Sequence, residues 1–331
     1  MLLNLLSFAV LIGGAVVCLW LARRTWKSPG RALKWLGTGF FALGAVGFIM
    51  ATLIALFGFS KLTFAGSHPL PNVKVAATPQ QIARGQQLAN QCVTCHSSTG
   101  KLPLDGANSN VIKFPPLGTL RSPNLTPGGP LQSWSDAEII RSIREGVGQS
   151  GHPLLGMPSW ALRHLSDEDV QALVAYLRSQ PAVSHNVPAR DLNIIAALSV
   201  GAGMAPTSEE PAPSHPVVAP QAGTSAEYGR YLTAKSGCRD CHGKDLNGGK
   251  ALLGISALSP TPIGPSLLLA SKIMDEAGFI STMRTGITPN GHTLNAAKMP
   301  WKDLSPSFSD NDLKAIYKYL STVDPATALT P

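Results

Sequence analysis

The residues best suited to chemistry are two cysteine pairs, each followed directly by a histidine. The sequence reads CVTCH at positions 92–96 and CRDCH at positions 238–242. In the pattern C-x-x-C-H, two thiols can form thioether bonds to one porphyrin while the histidine binds its iron. The pattern therefore predicts two covalently attached c-type haems, with attachment through Cys92, Cys95, Cys238 and Cys241 and iron binding by His96 and His242.

Two other uses of such cysteines are less consistent with the surrounding sequence. A thioredoxin-like redox pair would lie in a strand–helix context, whereas a helical pattern leads into each motif here. A structural zinc site needs four ligands close together, and each motif offers two cysteines and one histidine. Because the motif occurs twice in matching contexts, haem attachment is the better interpretation.

A second iron ligand is predicted in a loop downstream of each motif. Met157 lies in GHPLLGMPSW and Met299 in GHTLNAAKMPW, and both precede a proline and then a tryptophan. A thioether on such a loop can reach the open face of the haem, and proline stiffens its approach. His152 and His292, a few residues upstream, are the competing ligands.

The elements that must position these residues are short helices. Amphipathic patterns with Ser N-caps and acidic first turns predict a terminal helix after Ser166 and after Ser309. Another helix recurs near Asp136–Glu145 and Asp275–Arg284. A ligating histidine usually donates its other N–H to a carbonyl, and we predict Pro115 and Pro265 as acceptors, with simple loop prolines as the alternative.

The N-terminal region predicts two membrane-spanning helices. Leu2–Ala22 and Trp35–Phe59 are nearly continuous apolar runs, and RRTWKSPGRALK between them carries five positive charges. Short positive loops remain on the cytoplasmic side, so both chain ends are expected on the other side. A cleaved signal peptide or a buried soluble hairpin are the alternatives; the first would carry its charges before the apolar run, and the second would have a polar face.

Charge and composition agree with this interpretation. The chain has 331 residues and a formal net charge of +8, of which +6 falls within residues 1–61, where there is no acidic residue. The remaining 21 basic and 19 acidic side chains nearly balance. The basic cluster is therefore a topology signal, and nucleic acid is not expected as a partner.

These observations predict an all-α protein with four regions. They are a transmembrane hairpin at 1–60, a first haem module at 78–182, a linker rich in Pro and Ala at 183–224, and a second module at 225–325. The end of the linker is expected to be extended or disordered. Residues 191–200 are expected to form a short helical segment packed on the first module.

Both modules resemble class I cytochrome c domains, with C-x-x-C-H near the start, a late methionine and a terminal helix. FPPLGTLRSPNLTPGG, WSDAEIIRSIREGV, GMPSW and LSDEDVQALVAYLRS in the first module resemble the cytochrome subunits of membrane-bound alcohol, sugar and aldehyde dehydrogenases. That family commonly has three haem modules, and this chain has two. Its members are not generally introduced by a two-helix anchor, and the second module lacks the PNLTP segment.

The resemblance implies an electron-transfer subunit rather than an enzyme. We expect a di-haem cytochrome c anchored in a bacterial inner membrane as a multi-pass protein, with its haem domains in the periplasm. Its expected partners are a dehydrogenase, a quinol-oxidising complex or a terminal oxidase in the respiratory chain. The alternative is a di-haem enzyme such as a peroxidase, which would need one labile axial ligand in place of Met157 or Met299.

Overall fold

The computed structural model describes residues 2–108, 117–205, 207–250 and 263–323. Helices account for nearly all of the regular structure in these ranges, and two strands of two residues each form the only sheet found there. The predicted all-α class is therefore confirmed. The helices form an N-terminal hairpin followed by two modules of similar design.

The hairpin consists of α1 (Leu2–Trp26) and α2 (Thr38–Thr63), preceded by one π-helical turn at Leu33–Gly37. Small residues let the two helices approach closely: Gly44 lies against the Cys18 sulfur, and Gly14 lies against the Phe48 ring. Large apolar side chains remain exposed along both helices. Both helices are long and apolar enough to cross a membrane.

The described part of the first module is built from five helices and two 3₁₀ turns. Thr78 and Ser135 form capping boxes at the first and third helices, and Ser166 caps the last one. The elements are α3 (Pro79–Ala89), a 3₁₀ turn (Asn90–Cys92), α4 (Val93–His96), a 3₁₀ turn (Pro130–Ser133), α5 (Asp136–Glu145), α6 (Ser159–Leu162) and α7 (Asp167–Ser179).

Helices α3 and α7 cross with their backbones almost in contact. A Cβ atom placed on Gly85 would lie 1.9 Å from the Ala172 carbonyl oxygen, so only glycine fits at this crossing. The core beneath it consists of apolar side chains from α3, α5 and α7, among them Leu88, Ile139 and Val174. The glycine crossing thus fixes how the first and last helices of the module enclose its small core.

A short strand pair joins the first module to a helix that contacts the anchor. Strand β1 (Gly118–Thr119) pairs antiparallel with β2 (Asp191–Leu192), and α8 (Ile194–Gly201) follows directly. The helix predicted near residues 191–200 exists, but α8 packs along α2 of the hairpin. The expected placement of this helix on the first module is therefore wrong for its main contact, although Leu155 of that module also packs against it. The reason is that Gly58 of α2 admits the α8 backbone to close contact.

The second module repeats the first design. A Cβ atom on Gly229 would lie 2.0 Å from the Ala315 carbonyl oxygen, which is the equivalent of the Gly85 crossing. Ser225 and Ser309 cap its first and last helices. The elements are α9 (Ala226–Lys235), α10 (Cys238–His242), α11 (Leu267–Ile273), α12 (Glu276–Thr285), α13 (Trp301–Leu304), a 3₁₀ turn (Ser305–Ser307) and α14 (Asp310–Thr322).

Two extended segments run across the first module and are called here the anchor strap (residues 64–75) and the linker strap (residues 207–217). The linker strap is extended, and its backbone bonds to the module: the Ser208 N–H donates to Leu154 and the Glu210 N–H donates to Glu145, both at 2.9 Å. The straps meet at His68, whose ring nitrogens lie 2.6 Å from a Glu145 oxygen and 3.1 Å from a Glu209 oxygen.

Candidate haem-binding sites

The first cysteine motif lies where α3 passes into a 3₁₀ turn and then into α4. Cys92 and Cys95 are both half-buried. Burial, and then the neighbouring Cys95, raise the pKa of Cys92 to about 12. A reactive redox pair needs a lowered thiol pKa, so this environment does not favour thioredoxin-like chemistry.

The imidazole of His96 is oriented by a backbone carbonyl. Its Nδ1–H donates to the Pro123 oxygen at 2.9 Å, which leaves Nε2 available for a metal. Burial lowers the pKa of His96, with the Pro123 bond opposing, so the ring is held in the neutral form that binds metals. A proline carbonyl was predicted in this role at Pro115, which lies outside the described residues.

The second motif has the same arrangement. Its short helix α10 ends at His242, which is buried, and the His242 Nδ1–H donates to the Pro265 oxygen at 2.7 Å. The predicted role of the Pro265 carbonyl is confirmed. Gly264 makes this approach possible, because a Cβ atom there would lie 2.5 Å from Nδ1 of the ring. The two histidines are therefore oriented by the same kind of contact, each with a proline carbonyl of its own module.

The predicted methionine ligands also occupy equivalent places. Isolated bridges, Val147 with Pro153 and Ile287 with Thr293, begin each loop. A short helix, α6 or α13, begins two residues after each methionine. The methionine carbonyl accepts a hydrogen bond from the first N–H of that helix, at 2.9 Å in the first module and 2.8 Å in the second. Met157 packs against the first core, as Cys92 does; Met299 is half-buried.

The competing histidines differ between the modules. His152 is half-buried, hydrogen-bonds Ser150 and lies against Gly148. His292 is exposed, and its backbone N–H bonds within its own turn. Among the described residues no group of three or more His, Cys, Asp or Glu side chains could hold a metal ion, so the zinc alternative gains no support.

A buried polar network joins the two modules, and sequence reasoning missed it. The Tyr231 hydroxyl donates to Asp169 at 2.6 Å and accepts the Ser166 N–H at 3.0 Å. Arg84 donates to both oxygens of Asp169, at 2.7 and 2.9 Å. Burial alone would raise the pKa of Asp169, but the bonds and charge of Arg84 lower it. Asp169 is thus an ionised acceptor at the module boundary.

A lysine is buried next to this network. Lys235 is 2% exposed and lies three residues before Cys238. Burial lowers its pKa to about 8, with the nearby Asp169 charge opposing the change. A lysine so rarely becomes fully buried that the helix pattern gave no signal for it.

The modules also touch through their motifs in a reciprocal way. The Trp160 side chain in α6 hydrogen-bonds Asp240 in the second motif, and Ala161 lies close to Gly237. In return, α13 contacts the 3₁₀ turn Asn90–Cys92 of the first motif. Each helix that follows a methionine therefore lies against the cysteine motif of the other module.

The two modules thus present their cysteine motifs, histidines and methionines in the same arrangement. Residues 80–177 match the family model described as cytochrome C oxidase, cbb3-type, subunit III. This match covers the first module from α3 to α7. The first set of predicted haem-binding residues, from Cys92 to Met157, therefore lies within the matched region.

Individual relatives extend the similarity. The gluconate 2-dehydrogenase cytochrome c subunit of Pantoea cypripedii is 35% identical over 102 residues, which are 29% of this chain and 22% of the relative. The alcohol dehydrogenase (quinone) cytochrome c subunit of Gluconobacter oxydans is 24% identical over 295 residues, 82% of this chain and 59% of the relative. A nicotinate dehydrogenase subunit of Pseudomonas putida is 37% identical over 117 residues, 34% of this chain and 10% of the relative.

The chain therefore spans between 10% and 59% of the length of these relatives. The resemblance predicted from the sequence is confirmed: this chain is related to c-type cytochromes and resembles the cytochrome c subunits of dehydrogenases. The alcohol dehydrogenase match is long enough to include both modules.

Proposed function

We propose that this chain is a membrane-anchored di-haem cytochrome c that relays electrons. The observation that carries the proposal is the repeated histidine geometry. In both modules a C-x-x-C-H histidine donates Nδ1–H to a proline carbonyl, at 2.9 Å and 2.7 Å, and so presents Nε2 to a metal. Such an imidazole next to two cysteine side chains is suited to a covalently attached haem.

The proposed attachment and ligand residues form two equivalent sets. Each set has two cysteines for the thioether bonds, one histidine and one methionine as axial ligands. A bound haem would supply iron that alternates between two oxidation states, while the chain orients it and excludes water. The first set is Cys92, Cys95, His96 and Met157, and the second is Cys238, Cys241, His242 and Met299.

The proposed domain boundaries follow these sets. Residues 78–182 and 225–325 would each enclose one haem, and residues 183–224 would connect them. The Gly85 and Gly229 crossings, one in each range, support two separately built cores. The number of two haems also rests on this duplication.

The proposed location is the inner membrane of a bacterium, with the haem modules in the periplasm. Helices α1 and α2 are each long and apolar enough to span a bilayer. Five basic residues lie where the hairpin turns, two in the last turn of α1 and three between the helices: Arg23, Arg24, Lys27, Arg31 and Lys34. Because short basic loops stay in the cytoplasm, the modules would lie on the opposite side. Lys34 lies over the Trp26 ring in this loop, a pairing that suits the membrane–water interface.

The proposed partners are a dehydrogenase that donates electrons and a component of the respiratory chain that accepts them. Several relatives bear the names of cytochrome subunits of alcohol, gluconate and fructose dehydrogenases. Those names support a carrier subunit over an enzyme such as a peroxidase. The described residues also present a half-buried Met157 in the first module, which suits a closed coordination sphere.

Haem staining on a denaturing gel tests this proposal. The full chain should retain two haems, and each double variant, Cys92→Ala with Cys95→Ala or Cys238→Ala with Cys241→Ala, should retain one. Cys18→Ala is the matched control and should retain both. Absence of covalent haem from the full chain would overturn the proposal, and rapid binding of carbon monoxide by the reduced protein would favour the peroxidase alternative.

A further inference from the structure

One segment outside the hairpin has the composition of a membrane-embedded element. Residues 192–208, between Asp191 and Glu209, include no charged side chain. They contain α8, then a turn at Gly203 with a positive φ of 72°, and then Met204. A run of this length without charge is unusual for a linker that crosses a protein surface, because linkers are commonly polar.

Helix α8 runs antiparallel to α2 in backbone contact with it. A Cβ atom on Gly58 would lie 1.7 Å from the Ala197 oxygen, and one on Gly201 would lie 2.0 Å from the Ile54 oxygen. Moving four residues forward in α8 therefore moves four residues back in α2. The C-terminal end of α8 thus lies nearer to the middle of the proposed membrane span than its N-terminal end.

The depth of this end can be estimated from the rise of an α-helix. Lys61 is the first charged residue after the apolar run of α2, and Ile54 precedes it by seven residues. At about 1.5 Å per residue, Gly201 would lie roughly 10 Å below the charged end of α2. This depth corresponds to the boundary between headgroups and acyl chains.

The tip of the segment satisfies its own backbone. The N–H groups of Met204 and Ala205 both donate to the Ser199 carbonyl, at 2.8 and 3.1 Å, and Gly203 donates to Val200 at 3.1 Å. Internal satisfaction of this kind is required where no water reaches the chain. The side chains at this end are apolar but not covered by protein: Met204 is 67% exposed, and Ala202 is also exposed.

The base of the segment is polar and firmly tied. Arg190 donates to the Leu62 carbonyl at 2.9 Å and to the Pro153 carbonyl at 3.0 Å. Asn4 at the start of α1 donates to the Leu192 carbonyl at 2.8 Å. Polar contacts at the base and apolar exposure at the tip are the distribution expected of an element that enters lipid from one side.

We propose that residues 192–205 form a re-entrant element whose tip is immersed in the lipid on the same side as the haem modules. The proposal rests on the membrane anchoring of α1 and α2. It has a consequence for the first module, because Leu155, two residues before Met157, packs with Leu62 and Ala197 at this element. The methionine loop of the first module would then lie at the membrane surface.

Labelling of single cysteines by a membrane-impermeant maleimide tests the proposal. The full haem-loaded chain carries Cys18→Ser, since the other four cysteines are expected to be bound to haem. In lipid vesicles Met204→Cys should react at least about tenfold more slowly than Ser214→Cys, an exposed position in the linker strap. After denaturation in sodium dodecyl sulfate both should react at the same rate, which shows that both thiols are intact.

A third variant separates failure of this inference from failure of the anchor. Leu43→Cys lies on α2 at a position 75% exposed within the protein, and the anchor predicts that lipid protects it. If Leu43→Cys is protected while Met204→Cys reacts as fast as Ser214→Cys, only the re-entrant element is wrong. If Leu43→Cys also reacts fast, the anchor and this inference both fail.

Discussion

The two modules share one design but differ in what covers them. Val147 begins the methionine loop of the first module and is 1% exposed, whereas Ile287, its equivalent in the second, is 48% exposed. The difference arises because the linker strap bonds across the first module at Ser208 and Glu210. The lesson is that segments outside a repeat can set the environment of its site as strongly as the repeat itself.

The straps also distinguish the modules in their attachment. The first module is joined to the anchor through Arg190, the anchor strap and α8. The second module has its main contacts with the first, through Tyr231 and the reciprocal motif contacts. We therefore expect the first module to act as the fixed part and the second to depend on it.

The largest effect is expected at the glycine crossings. Gly85→Ala and Gly229→Ala each force a Cβ atom to about 2 Å from a carbonyl oxygen, which should destabilise the module by about 3 kcal/mol or more. Denaturant unfolding of the detergent-solubilised protein, followed by circular dichroism, measures this loss. Gly223→Ala, with open space around it, is the control.

The two variants should differ in how many modules they destabilise. Gly85→Ala should disturb both modules, because the second is docked on the first, while Gly229→Ala should leave the unfolding of the first unchanged. Equal and separate transitions in both variants would contradict the proposed dependence.

The next largest effect is expected at the module boundary. Tyr231→Phe removes a donor from the buried Asp169 carboxylate, which should cost about 2 to 3 kcal/mol because the lost bond has a charged acceptor. The unfolding of the two modules should then separate into two transitions. Tyr317→Phe is the control and should keep them together, because the Tyr317 hydroxyl donates to the Ser271 and Met274 carbonyls of its own module.

A somewhat smaller and pH-dependent effect is expected where the straps meet. Burial opposes protonation of His68, but its bonds to Glu145 and Glu209 raise its pKa above 6.5 overall. The stabilisation from a pKa that is raised in the folded state is fully present below the pKa of the unfolded state. It is lost as the pH rises through the pKa of the folded state. Protection of the anchor strap from hydrogen exchange should therefore fall as the pH rises through the folded-state pKa of His68.

His68→Gln should remove this pH dependence, whereas His215→Gln, at an exposed position, should keep it. Protection in the wild-type chain that stays constant from about pH 5 to about pH 9 would show that the strap junction does not titrate in this way.

The smallest effect compares the two modules directly. Val147→Ala removes two buried carbon atoms and should cost about 1.5 kcal/mol, whereas Ile287→Ala at its exposed equivalent should cost less than about 0.5 kcal/mol. Thermal unfolding of both variants measures the difference. Equal losses would indicate that the second module acquires a cover comparable to the linker strap.

The sequence predicted the parts of this structure that depend on local signals. The Ser166 and Ser309 caps and the helix Asp136–Glu145 follow from residues within a few positions of each other. The haem motifs are equally local. The assignment of the ligand and attachment residues remains a prediction to be tested by haem retention.

Contacts between distant segments could not be predicted in the same way. The pairing of Gly58 with Ala197 and of Tyr231 with Asp169 leaves no periodic pattern in either partner. Spacing could not identify the carbonyl that orients His96 either. In the second module the spacing from His242 to Pro265 is 23 residues. In the first module Pro115 lies 19 residues after His96 and Pro123 lies 27 after it, so both spacings differ from 23 by the same four residues.

The reciprocal contact of each motif with the other module has a consequence for biogenesis. The segment Asn90–Cys92 lies under α13, and Asp240 bonds to Trp160 of α6. Covalent attachment of porphyrin requires access to these same segments. If the haems are attached as proposed, both must be installed while the exported chain is still open, and docking of the halves would be the closing step of maturation.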